Sequence, residues 1–162
     1  MTQAIDIIKD EHRSMGAVIK GLQANVAAAR SSSAEPDLHL FGAMLDYIEA
    51  FPDRLHHPKE DEYLFRFLRM RSDEAAAVLD ALEGEHARCA ELLGGLRAAL
   101  DAARAGADLA GFASALDAYA EFMWQHMSTE EEVVLPLAEA NLTPEDWASI
   151  DTAFAANRGG QW

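Results

Sequence analysis

Four long stretches of this chain repeat apolar residues at intervals of three and four, and each stripe is broken once by a histidine. Residues at that spacing share one face of an α-helix, so each stretch must bury its stripe against other helices. The first stripe is Ile5, Ile8, His12, Met15, Ile19, Leu22 and Val26. The second is Phe41, Leu45, Ile48, Leu55, His56, Glu60, Tyr63 and Phe67. The third runs Ala75, Leu79, Leu82, His86, Cys89, Leu93, Leu96 and Leu100, and the fourth Phe112, Leu116, Tyr119, Met123, His126, Glu130, Val133 and Leu137. Strand signals are nearly absent. The expected fold is all-α: an up-down-up-down four-helix bundle over about residues 2–140, with a short fifth C-terminal helix over about 143–157. At 162 residues the chain reads as one domain, 1–162.

Local signals set the boundaries. Helix 1 runs from Thr2 to about Arg30, before the Ser31–Pro36 loop. Helix 2 runs from Asp37 to about Met70, with Pro52 and Pro58 inside it. Each proline removes a backbone N–H and clashes with the preceding turn, so a kink or break is expected there. Ser72 or Asp73 caps helix 3, which Gly106 ends. Helix 4 extends from about Asp108 to Ala140, perturbed late by Pro136. Thr143 caps helix 5, Pro144 takes its first position, and Trp147, Ile150 and Phe154 face the bundle. The tail Arg158–Trp162 is expected to fray.

The chemistry concentrates in two segments. His56 precedes Glu60 by four residues, and His126 precedes Glu130 by four. On a helix that spacing stacks an imidazole and a carboxylate on one face. The halves of the chain share a plan: one histidine on the first helix, then His-x-x-x-Glu on the second. The separations nearly match, at 56 − 12 = 44 and 126 − 86 = 40.

If the helices run up and down, His12, His56, Glu60, His86, His126 and Glu130 converge at mid-bundle. Burying one polar group without a partner costs about 1–3 kcal/mol, and a charged one more. A pair of divalent ions removes that cost. Six ligands are many for one ion, and carboxylates bridge. The nitrogen and oxygen mix suits iron, with manganese, zinc or cobalt also compatible.

Two choices stay open within this set. At 100° per residue, His56 and Glu60 lie beside Tyr63 and Phe67, while His57 and Asp61 turn toward Asp46 and Asp53. His56 with Glu60 is the favoured pair and His57 with Asp61 the alternative. Glu131 competes with Glu130, because a five-residue step reaches the same face. A lone histidine in an apolar stripe is usually a hydrogen-bonded core residue, and a lone His-x-x-x-Glu a surface pair; the conjunction on four helices argues for metal. Cys89 reads as a small core residue, His39 as exposed, and Tyr63 and Tyr119 as core aromatics or outer hydrogen-bonding partners of the histidines. Glu83-Gly-Glu-His86 has the Glu-x-x-His form of ferritin-like di-iron sites, but no second copy accompanies it.

The net charge of −15 disfavours nucleic acid and anionic membranes as partners. No apolar run is long enough to span a bilayer. Acidic residues stand where a signal peptide would be basic, and one cysteine fits a reducing compartment, so the expectation is a cytoplasmic protein.

His12, His56-His57-Pro-Lys-Glu60, Glu85-His86 and His126-Met-Ser-Thr-Glu130-Glu131 with Leu135-Pro136 together resemble the hemerythrin-like (HHE cation-binding) family, over nearly the whole chain. The resemblance implies a non-haem di-iron centre, two iron ions with an oxo or hydroxo bridge, that binds or senses O2 or serves iron, redox and nitrosative stress handling. Its small ligands would be O2, peroxide or NO. One departure stands out. Oxygen-carrying members have a fifth histidine on helix 3, a turn from the other, where this chain has Leu82 and Ala90. One ion is therefore expected to lack a protein ligand, which argues against plain oxygen carriage. Two other readings are kept: a non-catalytic interaction module with a structural metal such as zinc, docking an unidentified protein partner, and a di-iron peroxidase- or oxidase-like enzyme.

Overall fold

The computed structural model describes residues 2–159, and among them every regular element is helical. Helix α1 spans Gln3–Ser31, α2 residues 38–71, α3 Ala76–Arg104, α4 residues 110–141 and α5 Pro144–Ala155. The first four form an up-down-up-down bundle in which α1 packs on α2 and α4, and α3 on α2 and α4. Residues 160–162, part of the tail expected to fray, lie outside the described residues, while Arg158 sits in a 3-10 turn, Ala156–Gly159.

The short connections are closed by local chemistry. Asp37 caps α2, accepting from Leu40 N–H at 3.0 Å. A 3-10 turn, Asp73–Ala75, leads into α3 after Ser72, whose side chain makes no capping bond. At the end of α3, Gly106 has φ of 108°. That left-handed conformation lets Gly106 N–H reach Ala103 O and Ala107 N–H reach Ala102 O, satisfying carbonyls the helix leaves free. Thr143 and Asp146 form a reciprocal capping box on α5, an arrangement worth about 1 kcal/mol. Asp146 also accepts from Arg71 at 2.8 and 3.1 Å, and Asp151 from Ala4 N–H at 2.8 Å, so α5 is tied to the ends of α2 and α1. Trp147, Ile150 and Phe154 are buried, as expected.

The prolines do not break α2. The backbone stays helical but opens into π-turns at Glu49–His56 and Glu60–Phe65, and α4 does the same at Glu130–Val134. His57 N–H reaches back five residues to Pro52 O, and Leu135 N–H to Glu130 O. A turn closed over five residues carries one residue more than an α-turn. Downstream side chains therefore advance by about one position. Tyr63, Phe67, Val133 and Leu137, expected inward, are partly or fully exposed. Leu64, Phe65, Leu68, Val134, Leu135 and Ala138 are buried in their place. Leu55, ahead of this shift, is also exposed. On α3, which stays α-helical through its seam, every expected stripe residue is buried.

The apolar interior comes in two blocks. One joins Met15, Ile19, Leu22, Phe41, Leu45, Leu93, Leu96, Phe112 and Leu116 with their neighbours. The other joins Ile7, Ile8, Phe65, Leu68, Leu79, Leu82, Leu135, Ile150 and Phe154. The layer between them is polar.

Candidate metal centre

Each of the four bundle helices sends side chains into that middle layer. His12 comes from α1; His56, His57 and Glu60 from α2; His86 from α3; His126 and Glu130 from α4. All seven are buried, and Glu60 and His56 have no exposed surface at all. The structure thus brings together all six residues singled out in the sequence and adds His57. The choice between His56 and His57 dissolves: the π-turn beside them lets consecutive residues both face inward, one toward each half of the layer. Asp61, the alternative partner of His57, stays outside it, as does Glu131.

Two groups of four can each converge on one ion. His12, His56, Glu60 and Glu130 form one, and His57, Glu60, His86 and His126 the other, with ligand atoms within 4.8 Å of one another in each. The carboxylates lie between the halves. Glu60 Oε1 is 2.8 Å from His56 Nε2 and 3.7 Å from His12 Nε2, while Oε2 is 3.3 Å from His86 Nε2. Glu130 Oε2 is 3.0 Å from His12 Nε2, while Oε1 is 2.8 Å from His126 Nε2 and 3.4 Å from His86 Nε2. Each carboxylate therefore offers one oxygen to each half. His57 stacks on His86 with ring centres 4.2 Å apart. It gives this half a third imidazole, the place that Leu82 and Ala90 leave without one on α3.

The opposite edges of the imidazoles are held by acids. His12 Nδ1 is 2.9 Å from Glu131 Oε1, His56 Nδ1 2.5 Å from Glu11 Oε2, His86 Nδ1 2.8 Å from Asp61 Oδ1, and His126 Nδ1 2.8 Å from Glu85 Oε2. His57 Nδ1 has the looser approach of Asp53 Oδ1 at 3.6 Å. An ionised carboxylate only accepts, so each close pair fixes the proton on Nδ1 and turns the Nε2 lone pair inward. Sequence reasoning missed this outer ring. Its signal was the acidic neighbour of each ligand candidate: Glu11 beside His12, Asp61 beside Glu60, Glu85 beside His86 and Glu131 beside Glu130.

This donor set fits a metal pair better than it fits itself. The Nε2 atoms of His12, His56 and His57 and all four oxygens of Glu60 and Glu130 lack a well-formed hydrogen bond. Each such buried atom costs about 1–3 kcal/mol. His86 Nε2 and His126 Nε2 face each other at 3.0 Å. Without metal, at least one of the two must carry a proton on Nε2 to sit at that distance. Two nitrogens bound at right angles to one ion, each about 2.1 Å away, sit about 3 Å apart.

The charges point the same way. Burial pulls the pKa of His12, His56, His86 and His126 down, but the surrounding carboxylates outweigh it and leave all four raised, His56 to about 9 and His86 to about 12. Burial pushes Glu60 and Glu130 up; for Glu130 the charge of Glu60 adds to this, yet the histidines hold both below their usual range. His57 goes the other way, lowered by burial and by the charges of His86 and His56, so it stands neutral. Without metal the layer stores protons, which an incoming cation must displace.

Cys89 and Tyr119 lie outside both groups. The Cys89 thiol points at the Met123 sulfur, 3.5 Å away, as a core residue. Tyr119 is fully buried with its hydroxyl unpartnered. His39 is exposed, and Glu83 pairs with Arg69 at the surface. A cleft of about 520 Å3 between α1 and α4, lined by His12, Gly16, Lys20, Trp124 and Glu131, brings solvent to the His12 edge of the layer. Gly16 lets the Trp124 ring pack closely on α1, since a Cβ there would lie 3.2 Å from that ring.

Residues 3–138 match the family described as hemerythrin HHE cation binding domain. The chain belongs to that family. Comparison with curated proteins gave no match. A hemerythrin-type bundle thus accounts for α1 to α4, and the two His and Glu groups support cation binding by this hemerythrin-like chain. Among the described residues no helix is long and apolar enough to cross a membrane.

Proposed function

We propose that this hemerythrin-like protein holds two iron ions side by side in the polar layer and engages O2 or a related small oxidant there. His12 and His56 would hold one ion and His57, His86 and His126 the other, with Glu60 and Glu130 offering an oxygen to each. The observation that carries this reading is the pair of carboxylates with one oxygen directed to each half, between five imidazoles that converge on them from the four helices. Imidazole and carboxylate together suit iron, and manganese or zinc would fit the same donors. An iron pair would supply electrons to dioxygen, peroxide or nitric oxide.

The chain's own residues do the rest. Glu131, Glu11, Asp61 and Glu85 keep four imidazoles turned. The two apolar blocks exclude bulk water above and below, and the cleft beside His12 reaches the edge of the layer. Unequal histidine numbers, two against three, leave the His12 side with more room for an exogenous ligand. A cytoplasmic setting fits the single, buried cysteine.

The test is an optical spectrum of protein loaded with ferrous iron without air and then exposed to it. New absorption in the near ultraviolet and visible is expected, with two irons per chain. A colourless, unchanged protein would overturn the oxidant reading and leave a structural metal in its place.

A further inference from the structure

The outer ring is nearly two-fold symmetric, and it is broken at one point. Glu11 of α1 holds His56 of α2, and Glu85 of α3 holds His126 of α4. Asp61 and Glu131 match in the same way, holding His86 and His12. The Glu85 side chain is 37 % exposed, whereas that of Glu11 is 7 % exposed. What covers Glu11 is the segment after α5.

Asn157, in the 3-10 turn that follows α5, is itself buried at 2 % exposure. Its Nδ2 donates to Glu11 Oε1 at 2.9 Å, leaving Oε2 for His56 Nδ1. Lys59 Nζ donates to the Asn157 carbonyl oxygen, which fixes the amide so that its N–H side faces Glu11. Phe154 closes the same corner, edge-on to His56 with ring centres 6.1 Å apart. A buried carboxylate with a single donor swings easily between rotamers. With two donors on its two oxygens it is held in one. The chain segment that does this lies beyond residues 3–138 matched by the family.

We infer that Asn157 is a positioning residue for His56, acting through Glu11, so that the C-terminal segment completes one half of the metal centre and not the other. The inference rests on the proposed dinuclear reading, in which His56 belongs with His12. Outer partners of metal-ligating histidines typically change affinity by about 10–100-fold. Loss of the Asn157 bond should therefore quicken release of one ion by about tenfold and leave the other nearly unchanged.

Asn157→Leu keeps the bulk and removes the donor; Lys59→Met keeps Asn157 and removes its orienting partner. Two readouts apply to the full chain. The first is histidine-selective 15N NMR of the metal-free protein, with His126 as the internal reference. The second is the rate of release of Co2+ to a chelator, resolved into phases. The expected result is an altered His56 resonance with His126 unmoved, and one release phase quickened about tenfold by Asn157→Leu and less by Lys59→Met. An unchanged His56 resonance with unchanged release, or both phases quickened equally as in a general loosening, would overturn the inference. If wild-type protein takes up no metal, the dinuclear reading fails, while the His56 resonance still decides whether Asn157 orients that ring.

Discussion

Glu60→Gln is expected to abolish binding of the metal pair while leaving the bundle folded. Glu60 is common to both groups of four, with one oxygen 2.8 Å from His56 Nε2 and the other 3.3 Å from His86 Nε2. Glutamine keeps the shape and loses the charge, and one of its two ends becomes a donor that faces a cation. Outer-ring substitutions cost about 10–100-fold in affinity, so a group shared by both ions should cost more than about 100-fold for each. Metal per chain, measured after equilibration at micromolar free metal, should fall from two to near zero with an unchanged far-ultraviolet circular dichroism spectrum. Retention of both ions at wild-type affinity would remove Glu60 from the centre. Glu131→Gln, next to Glu130 on α4 but bonded to His12 Nδ1, should weaken a single ion.

Removing the metal should lower the melting temperature by on the order of 20 °C. Each ion at a thousand times its dissociation constant adds about 4 kcal/mol, and in a chain of this size each kcal/mol moves the midpoint by about 2–4 °C. The metal-free layer then depends on its own ion pairs. The raised histidines stabilise the fold fully below their ordinary value of 6.5 and lose that contribution as pH rises, His56 near 9. The lowered glutamates contribute above their ordinary 4.5 and lose it as pH falls. Metal-free protein should therefore be most stable between about pH 4.5 and 6.5, where both hold. Metal-loaded protein should gain most above that window, since protons no longer compete for the imidazoles. Thermal melts with and without chelator across pH 4–10 test both statements; superimposable curves would contradict them.

The fold was legible because the stripes and their boundaries are local. The α3 seam from Leu79 to Leu100 was right at every position, since an uninterrupted α-helix follows the 3.6-residue period. Apart from Ile5, half-buried at the start of α1, the errors fall where the helix does not. Past His56 and past Glu130 the buried set moves by one residue, from Tyr63 and Phe67 to Leu64 and Leu68, and from Val133 and Leu137 to Val134 and Ala138. Wide turns at Pro52 and at Glu130–Val134 cause the slip. A proline signals strain in a helix but not whether the chain answers by kinking or by widening. The same effect made His57 look like an alternative to His56 and not its companion, because a straight projection turns the two toward different sides.

The candidate site was legible through the repeat of one histidine and one His-x-x-x-Glu per half, which brought out six of the seven residues in the layer. The repeat extends to the packing residues: His56, Glu60, Leu64, Phe65 and Leu68 each have a counterpart 70 positions on (126 − 56 and so forth) in His126, Glu130, Val134, Leu135 and Ala138. His57 falls opposite Met127, and this mismatch is what makes the halves unequal. The role of the outer acids could not be read for a different reason. Their partners sit on neighbouring helices, and only packing shows that Glu11 serves His56 and not the adjacent His12.

The most direct measurement is a crystal structure of the iron-loaded protein with anomalous scattering at the iron edge. Two peaks are predicted between Glu60 and Glu130, one against His12 and His56 and the other against His57, His86 and His126. A single peak, peaks bound elsewhere on the acidic surface, or a layer that stays free of metal after loading would contradict the account.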